Sequence, residues 1–393
     1  VSEGVPVKAS AFVYPWDVVG DPAAPGRLAA LGVEQVTLAS AYHSTRALTP
    51  RHPRHRVVTA EYAAVLYPPG DRWSGRGLRP CPAGRWAPAD AYGEAAAALA
   101  EAGLPVHTWV VLAHNSRLGA EHPDTSVVNA YGDRYPWAPC IAQPATRAYL
   151  VDLAAEAAVR PGAQGTELES LGWYGLAHLH AHDKTAGVAL GDAGQYLMSL
   201  CFCPSCRTGY GAHGLDADAL AVAVRDALEP LWRGEADGGG WTGVAKRLGE
   251  DTAAATRAWR EHTARTLQEE AVAAVRAGAP HGFQVLLHAD PVSHHCGANA
   301  GVDPAHILSV ADGVVVPCTG GPDLLAPFAA QGHADAVLAA NFTIVSGMGG
   351  SPATLAADAA RAGAHGATEL RLYHAGLASD TDLAAVRAAL SAR

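Results

Sequence analysis

Ala9-Ser10-Ala11-Phe12-Val13-Tyr14-Pro15-Trp16-Asp17 reads as a short apolar strand, Ala9–Trp16, whose end runs into a turn made of proline, aromatic rings and an acid. That turn decides between two α/β architectures. A doubly wound open sheet that binds a dinucleotide needs glycines directly after its first strand, so that backbone amides can approach a pyrophosphate. Tyr14-Pro15-Trp16-Asp17 contains no glycine and cannot form that cradle.

Working outward, the same kind of run recurs at Gln35–His43, Val106–His114, Gly165–Leu171, Phe283–Asp290, Gly313–Cys318, Val337–Val345 and Glu369–His374, eight strands with the first. Helical patterns separate them, among them Ala89–Ala102, Ala145–Val159, Asp251–Ala277, Asp303–Ala311, Pro322–Gln331, Pro352–Ala364 and Asp380–Ala392. Several open on an acid or Ser and a Pro, and several close on Gly, as helix ends require. Eight strand-then-helix units in 393 residues predict an α/β fold, a (β/α)8 TIM barrel formed by the whole chain, residues 1–393. Two spans are too long for simple connections, about 44–85 after the second strand and 173–249 after the fourth. They are expected as insertions on the C-terminal face, where barrels of this kind carry their sites.

Composition narrows the function classes. Apolar residues make up 49% and charged residues 17%, which suits a packed core. Twenty-eight Lys+Arg against 38 Asp+Glu give a net charge of −10, which argues against phosphate-neutralising contact with nucleic acid and against electrostatic attachment to an anionic membrane. No run approaches the roughly 20 apolar residues of a spanning helix. Val1-Ser2-Glu3-Gly4 begins no basic-then-apolar leader, so no signal peptide is expected. The 7 cysteines do not suggest a disulfide scaffold at this length, and a cytoplasmic location follows as the expectation.

Chemistry concentrates where strands end. Gly165-Thr166-Glu167-Leu168-Glu169-Ser170 places two glutamates on one face of the fourth strand, because strand side chains alternate. With Leu168 toward the helices, Glu167 and Glu169 point into the barrel or its mouth. Like charges held that close should raise one carboxyl pKa and keep one acid protonated near neutrality. The strand is followed by Trp173-Tyr174 and by the histidines at 178, 180 and 182, which offer stacking platforms and hydrogen-bonding groups for a sugar, or metal ligands. Other strand ends supply Tyr42, His43 and Arg46, His114, His288 and Asp290, Asn341, and Tyr373 and His374. Cys201-Phe202-Cys203-Pro204-Ser205-Cys206 is a CxCxxC cluster that could grip a structural Zn2+, with Cys140, Cys81 or a histidine as the fourth ligand.

The chain resembles the glycoside-hydrolase-like TIM barrels, a group with many bacterial members. The resemblance rests on Ala41-Tyr42-His43-Ser44-Thr45-Arg46 with Pro50-Arg51-His52-Pro53, on Cys140-Ile141-Ala142-Gln143-Pro144-Ala145-Thr146-Arg147, on Glu167-Leu168-Glu169-Ser170-Leu171-Gly172-Trp173, and on Cys201–Arg207. The last is similar to the cluster of some β-galactosidase-type barrels. There are departures. Many retaining members end strand four in Asn-Glu and carry a second Glu on strand seven, whereas here strand four ends Glu-Leu-Glu-Ser and strand seven offers Asn341. The paired carboxylates are similar to the acidic strand of chitinase-type barrels, without that family's run of aspartates.

These readings converge on a hydrolase of glycosidic bonds acting on a small-molecule or oligosaccharide substrate, needing no cofactor for chemistry. Glu169 is expected as general acid, Asp290 as base or nucleophile and Glu167 as modulating neighbour. Tyr42, His43, Arg46, His114, Trp173, Tyr174, His178, His288, Asn341, Tyr373 and His374 are expected to bind the sugar. Two other functions fit the same residues. A metal-dependent sugar isomerase, epimerase or lyase could hold Mn2+ or Mg2+ on Glu167, Glu169, His288, Asp290 and His374. A barrel could also bind sugars without catalysis. A homo-oligomer is compatible with the sequence, which does not specify one.

Overall fold

A computed structural model describes residues 8–177, 183–236 and 238–392. Eight strands run parallel: β1 (Lys8–Val13), β2 (Gln35–Tyr42), β3 (Val106–Val111), β4 (Ala163–Glu169), β5 (Gln284–Asp290), β6 (Gly313–Pro317), β7 (Val337–Thr343) and β8 (Glu369–Tyr373). Each pairs with the next in chain order, and β1 pairs with both β2 and β8, so the sheet closes. The predicted strands all form; seven end one to three residues earlier than the apolar run suggests, and β5 ends at Asp290 as expected. At β1 the reason is local. Pro15 has no N–H to give a ladder and starts a 3-10 turn, Pro15–Asp17, where the Asp17 carboxylate accepts from the Tyr14 amide at 2.8 Å.

The outer layer follows the strands as α1 (Ala24–Ala29), α2 (Ala91–Glu101), α3 (Pro144–Ala158), α4 (Glu250–Gly278), α5 (Pro304–Val310), α6 (Ala326–Ala329), α7 (Leu355–Ala364) and α8 (Asp380–Ser391). Asp90, Asp303 and Ser379 cap α2, α5 and α8 by accepting from Gly93, His306 and Asp382 amides. No helix among the described residues is long and apolar enough to cross a membrane.

The connections after β2 and β4 carry extra structure. After β2 comes an antiparallel hairpin, Thr45–Leu48 with Val57–Ala60. After β4 come helices at Gly191–Met198, Pro204–Ala212, Ala217–Trp232 and Gly240–Leu248. A further elaboration after β3 was not apparent in the sequence: a short helix, Ser116–Glu121, and a two-stranded pair, Ser126–Val128 with Arg134–Pro139. A three-residue strand is too short to show a period.

Alternation along the strands sorts side chains into two layers. Leu168 of β4 is fully buried between sheet and helices, whereas Glu167 and Glu169 face the barrel axis. Inward positions near the strand starts pack the floor, where Leu286, Val315, Val337 and Ala339 form a small apolar cluster. Inward positions near the strand ends open into a cavity.

Candidate active site

The cavity at the C-terminal ends of the strands has a volume of about 780 Å³. Nine of the side chains expected to bind substrate or act as acid line it: Tyr42, His43, Arg46, His114, Glu169, Tyr174, His288, Asn341 and Tyr373. Tyr14 and Trp109 line it as well. Trp109 went unnoticed in the sequence because it sits inside an apolar run, although it shares the inward parity of its strand.

One wall is a continuous stack of rings. Tyr42 lies 4.2 Å from His43, His43 4.6 Å from His114, and His114 4.3 Å from Tyr174, centroid to centroid. The stack is held at its end by the Tyr14 hydroxyl, which donates to the Tyr42 hydroxyl at 3.1 Å. Burial, and then the neighbouring hydroxyls and the Glu169 charge, push the Tyr42 phenol well above its ordinary range, so it stays a neutral donor and acceptor.

Glu169 is the one carboxylate among the described residues lining the cavity. The Trp109 indole N–H donates to its Oε2 at 2.6 Å. The next residue, Ser170, is buried with φ of 58°, a left-handed conformation that a residue with a Cβ seldom adopts. Its amide donates to the Ala298 carbonyl at 2.9 Å, and its carbonyl accepts from the Ala113 amide at 3.0 Å. The strained turn at the acid is thus clamped by its neighbours, as such residues near functional groups require.

Glu167 differs from the expectation. It lies on the same face one pleat deeper, fully buried beneath the cavity. Arg371 Nε donates to its Oε1 at 2.5 Å, and Thr37 donates to the same atom at 3.0 Å. His107 Nδ1 stands 3.9 Å from Oε1, and His288 Nε2 3.5 Å from Oε2. Burial raises this carboxyl, but the Arg371 charge and the two histidines outweigh it and hold it down at about 2. The carboxylate is therefore ionised, and the repulsion expected to protonate one of the pair is replaced by an ion pair.

Three other expected site residues sit elsewhere. Asp290 does not line the cavity: at the end of β5, just before Pro291, its carboxylate accepts from the Val292 amide at 2.8 Å and lies 3.0 Å from His295 Nδ1. Trp173 is buried, with its indole N–H donating to the Arg260 carbonyl at 3.0 Å. His374 is fully buried behind Tyr14, ring to ring at 4.2 Å, and burial lowers it to about 3. His178 lies outside the described residues. Nor do Glu167, Glu169, His288, Asp290 and His374 converge as a metal-ligand set among the described residues.

A cysteine cluster stands apart. Cys140, ahead of α3, joins Cys201, Cys203 and Cys206, all buried, with the four sulfurs within 4.8 Å of one another. Cys140 Sγ is 3.6 Å from both Cys203 and Cys206. A tetrahedral Zn2+ with thiolates at about 2.3 Å needs sulfurs about 3.8 Å apart, so the donor set fits that ion. None of the four lines the cavity.

No family model and no curated protein matches the sequence. Solved structures do. The α-L-fucosidase isoenzyme 2 from Paenibacillus thiaminolyticus is 12% identical with a TM-score of 0.58, over 98% of this chain and 49% of that one. The present chain thus spans about half the length of that enzyme. The catalytic domain of β-amylase from Paenibacillus polymyxa is 14% identical, TM-score 0.56, over 98% of each chain. The glycoside hydrolase domain of PgaB from Bordetella bronchiseptica is 16% identical, TM-score 0.52, over 99% of this chain and 100% of that one. These likenesses establish the fold, a closed (β/α)8 barrel.

Proposed function

We propose that the chain is a carbohydrate-active hydrolase that seats a sugar in the aromatic cavity and uses Glu169 as general acid on the glycosidic oxygen. The observation that carries this is the position of Glu169, the one lining carboxylate among the described residues, held by Trp109 beside stacked rings. Flat rings cover the apolar faces of a sugar, and the phenols, imidazoles and Asn341 can meet its hydroxyls. The cavity volume lies within the roughly 300–1,000 Å³ of small-molecule sites. A screen of natural disaccharides and nitrophenyl glycosides tests the reading. Turnover that disappears in Glu169→Gln supports it, and turnover unaffected by Glu169→Gln rejects it.

A second reading, a barrel that binds sugars without cleaving them, draws on the withdrawal of Asp290 to His295. Saturable sugar binding by calorimetry, with no product after prolonged incubation, would favour it.

The cysteine cluster is proposed to hold one structural Zn2+ on Cys140, Cys201, Cys203 and Cys206. Bound there, the ion would tie the segment after β4 to the chain ahead of α3 and leave no open position for substrate. One zinc per chain by elemental analysis supports this; metal-free protein with unchanged thermal stability rejects it.

A further inference from the structure

Inverting cleavage of a glycosidic bond needs two proton-handling groups, one for the leaving oxygen and one for the attacking water, whereas retaining cleavage needs one such group and a nucleophile. Glu169 is the only carboxylate the described residues bring to the cavity, so among them the second group is of another kind and no carboxylate nucleophile stands opposite the acid. His288 of β5 lines that cavity. It lies one residue beyond the paired Leu287 and Leu168, which sets it beside Glu169 on the neighbouring strand.

The environment of His288 is asymmetric. Its Nε2 is sealed from solvent and has no hydrogen-bond partner of its own, and the same is true of Glu167 Oε2. These two atoms face each other at 3.5 Å. Two complementary polar groups buried together satisfy each other, since each left unpaired would bear the full cost of its lost hydration. An ionised Glu167 can only accept, so the proton belongs on Nε2 and Nδ1 keeps its lone pair. Among the described residues, Glu169 stands beside this ring on β4, and Arg371 on β8 and His107 on β3 reach it through Glu167.

We propose that His288, oriented by the sealed Glu167 carboxylate, is the general base of this site, and that Glu167 is its positioning residue. The inference rests on the hydrolase reading above. In the step it implies, Nδ1 takes a proton from water as the water oxygen bonds to the anomeric carbon. The bond from that carbon to the leaving oxygen breaks, and the Glu169 carboxylic acid protonates the departing oxygen. Glu167 stabilises the imidazolium, as the carboxylate does in a Ser-His-Asp triad. Direct attack by water inverts the anomeric centre.

Three measurements on the full chain test this. Long-range proton–nitrogen NMR, assigned with His288→Ala, should show the His288 proton on Nε2; a proton on Nδ1 overturns the dyad whether or not any glycoside is cleaved. On a glycoside the protein hydrolyses, His288→Ala should lose about 10²–10⁴-fold in rate. Added imidazole should restore part of it, in proportion to its free-base fraction. A wild-type rate in His288→Ala, or loss without such rescue, overturns the base role. The first-formed sugar should have inverted configuration, and retention also overturns it. If no glycoside in the screen is hydrolysed, the hydrolase reading fails, and with it the base role, while the tautomer still decides the dyad. Glu167→Gln risks misfolding because it leaves the fully buried Arg371 guanidinium with Glu369 as its one remaining carboxylate among the described residues, so the decisive variant is at His288.

Discussion

Glu167 and Glu169 are two residues apart on the same face of β4, yet they live in different media. Glu169 opens on the cavity with the Trp109 indole at one oxygen. Glu167 is wholly enclosed, with Arg371, Thr37, His107 and His288 around it. One pleat of depth, about 6.6 Å along the strand, separates a carboxylate that can meet substrate from one that can meet only protein. The lesson is that in a closed barrel the parity of a residue decides which way it points, and its height along the axis decides what it does.

The sharpest way to break that comparison is to remove the two acids in turn. Glu169→Gln keeps the shape and deletes the proton donor, so the rate should fall about 10²–10⁴-fold while the urea midpoint barely moves. Glycosides with a good leaving group, such as nitrophenyl glycosides, should suffer less. Glu167→Gln should do the reverse in emphasis. Breaking one side of a buried ion pair costs about 3–5 kcal/mol, visible as a lower urea midpoint in every fold-sensitive signal. Equal stability of the two variants would erase the distinction drawn here.

Acid should expose the same contrast. The Glu167 carboxyl lies at about 2 in the folded chain against an ordinary 4.5, and burial lowers His107 and His374 to about 3 from 6.5. Each group binds fewer protons folded than unfolded within its own window, so stability should fall as pH drops below about 6.5 and again below about 4.5. Asp17 runs the other way: burial raises it from 3.8 to about 7, so its contribution shrinks as pH rises through that interval. His107→Gln should flatten the acid slope of urea midpoint against pH. An unchanged slope would mean that His107 titrates normally.

Smaller effects are expected further from the reacting atoms. Trp109→Phe deletes the indole hydrogen bond that orients the Glu169 carboxyl, worth about 1 kcal/mol, roughly fivefold in rate. It should leave thermal stability nearly intact, because a ring still fills the space. Cys203→Ser should have the least effect on turnover and a clear effect on melting temperature, since no cluster cysteine lines the cavity. Abolished turnover with an unchanged melting temperature would move the cluster from scaffold to chemistry.

Much of this was readable before any coordinates. The eight strands, the glycine-free turn after β1 and the shared face of Glu167 and Glu169 all follow from short-range pattern, because alternation and turn chemistry act over a few residues. The aromatic and polar strand ends mark most of the cavity for the same reason. Asp290 misleads because a strand-end acid can either face the axis or cap the next turn, and only the path of the chain after Pro291 selects the second.

The sequence by itself therefore determined the repeat, the direction of each strand side chain and the residue types gathered at the barrel mouth. Tertiary structure alone decided which of them meet. Arg371 reaches Glu167 across 204 residues, and Cys140 reaches Cys203 across 63. Such pairings depend on the relative heights of strands and loops around a closed ring. That stagger is set by every strand pairing at once, so no local pattern in the chain encodes it.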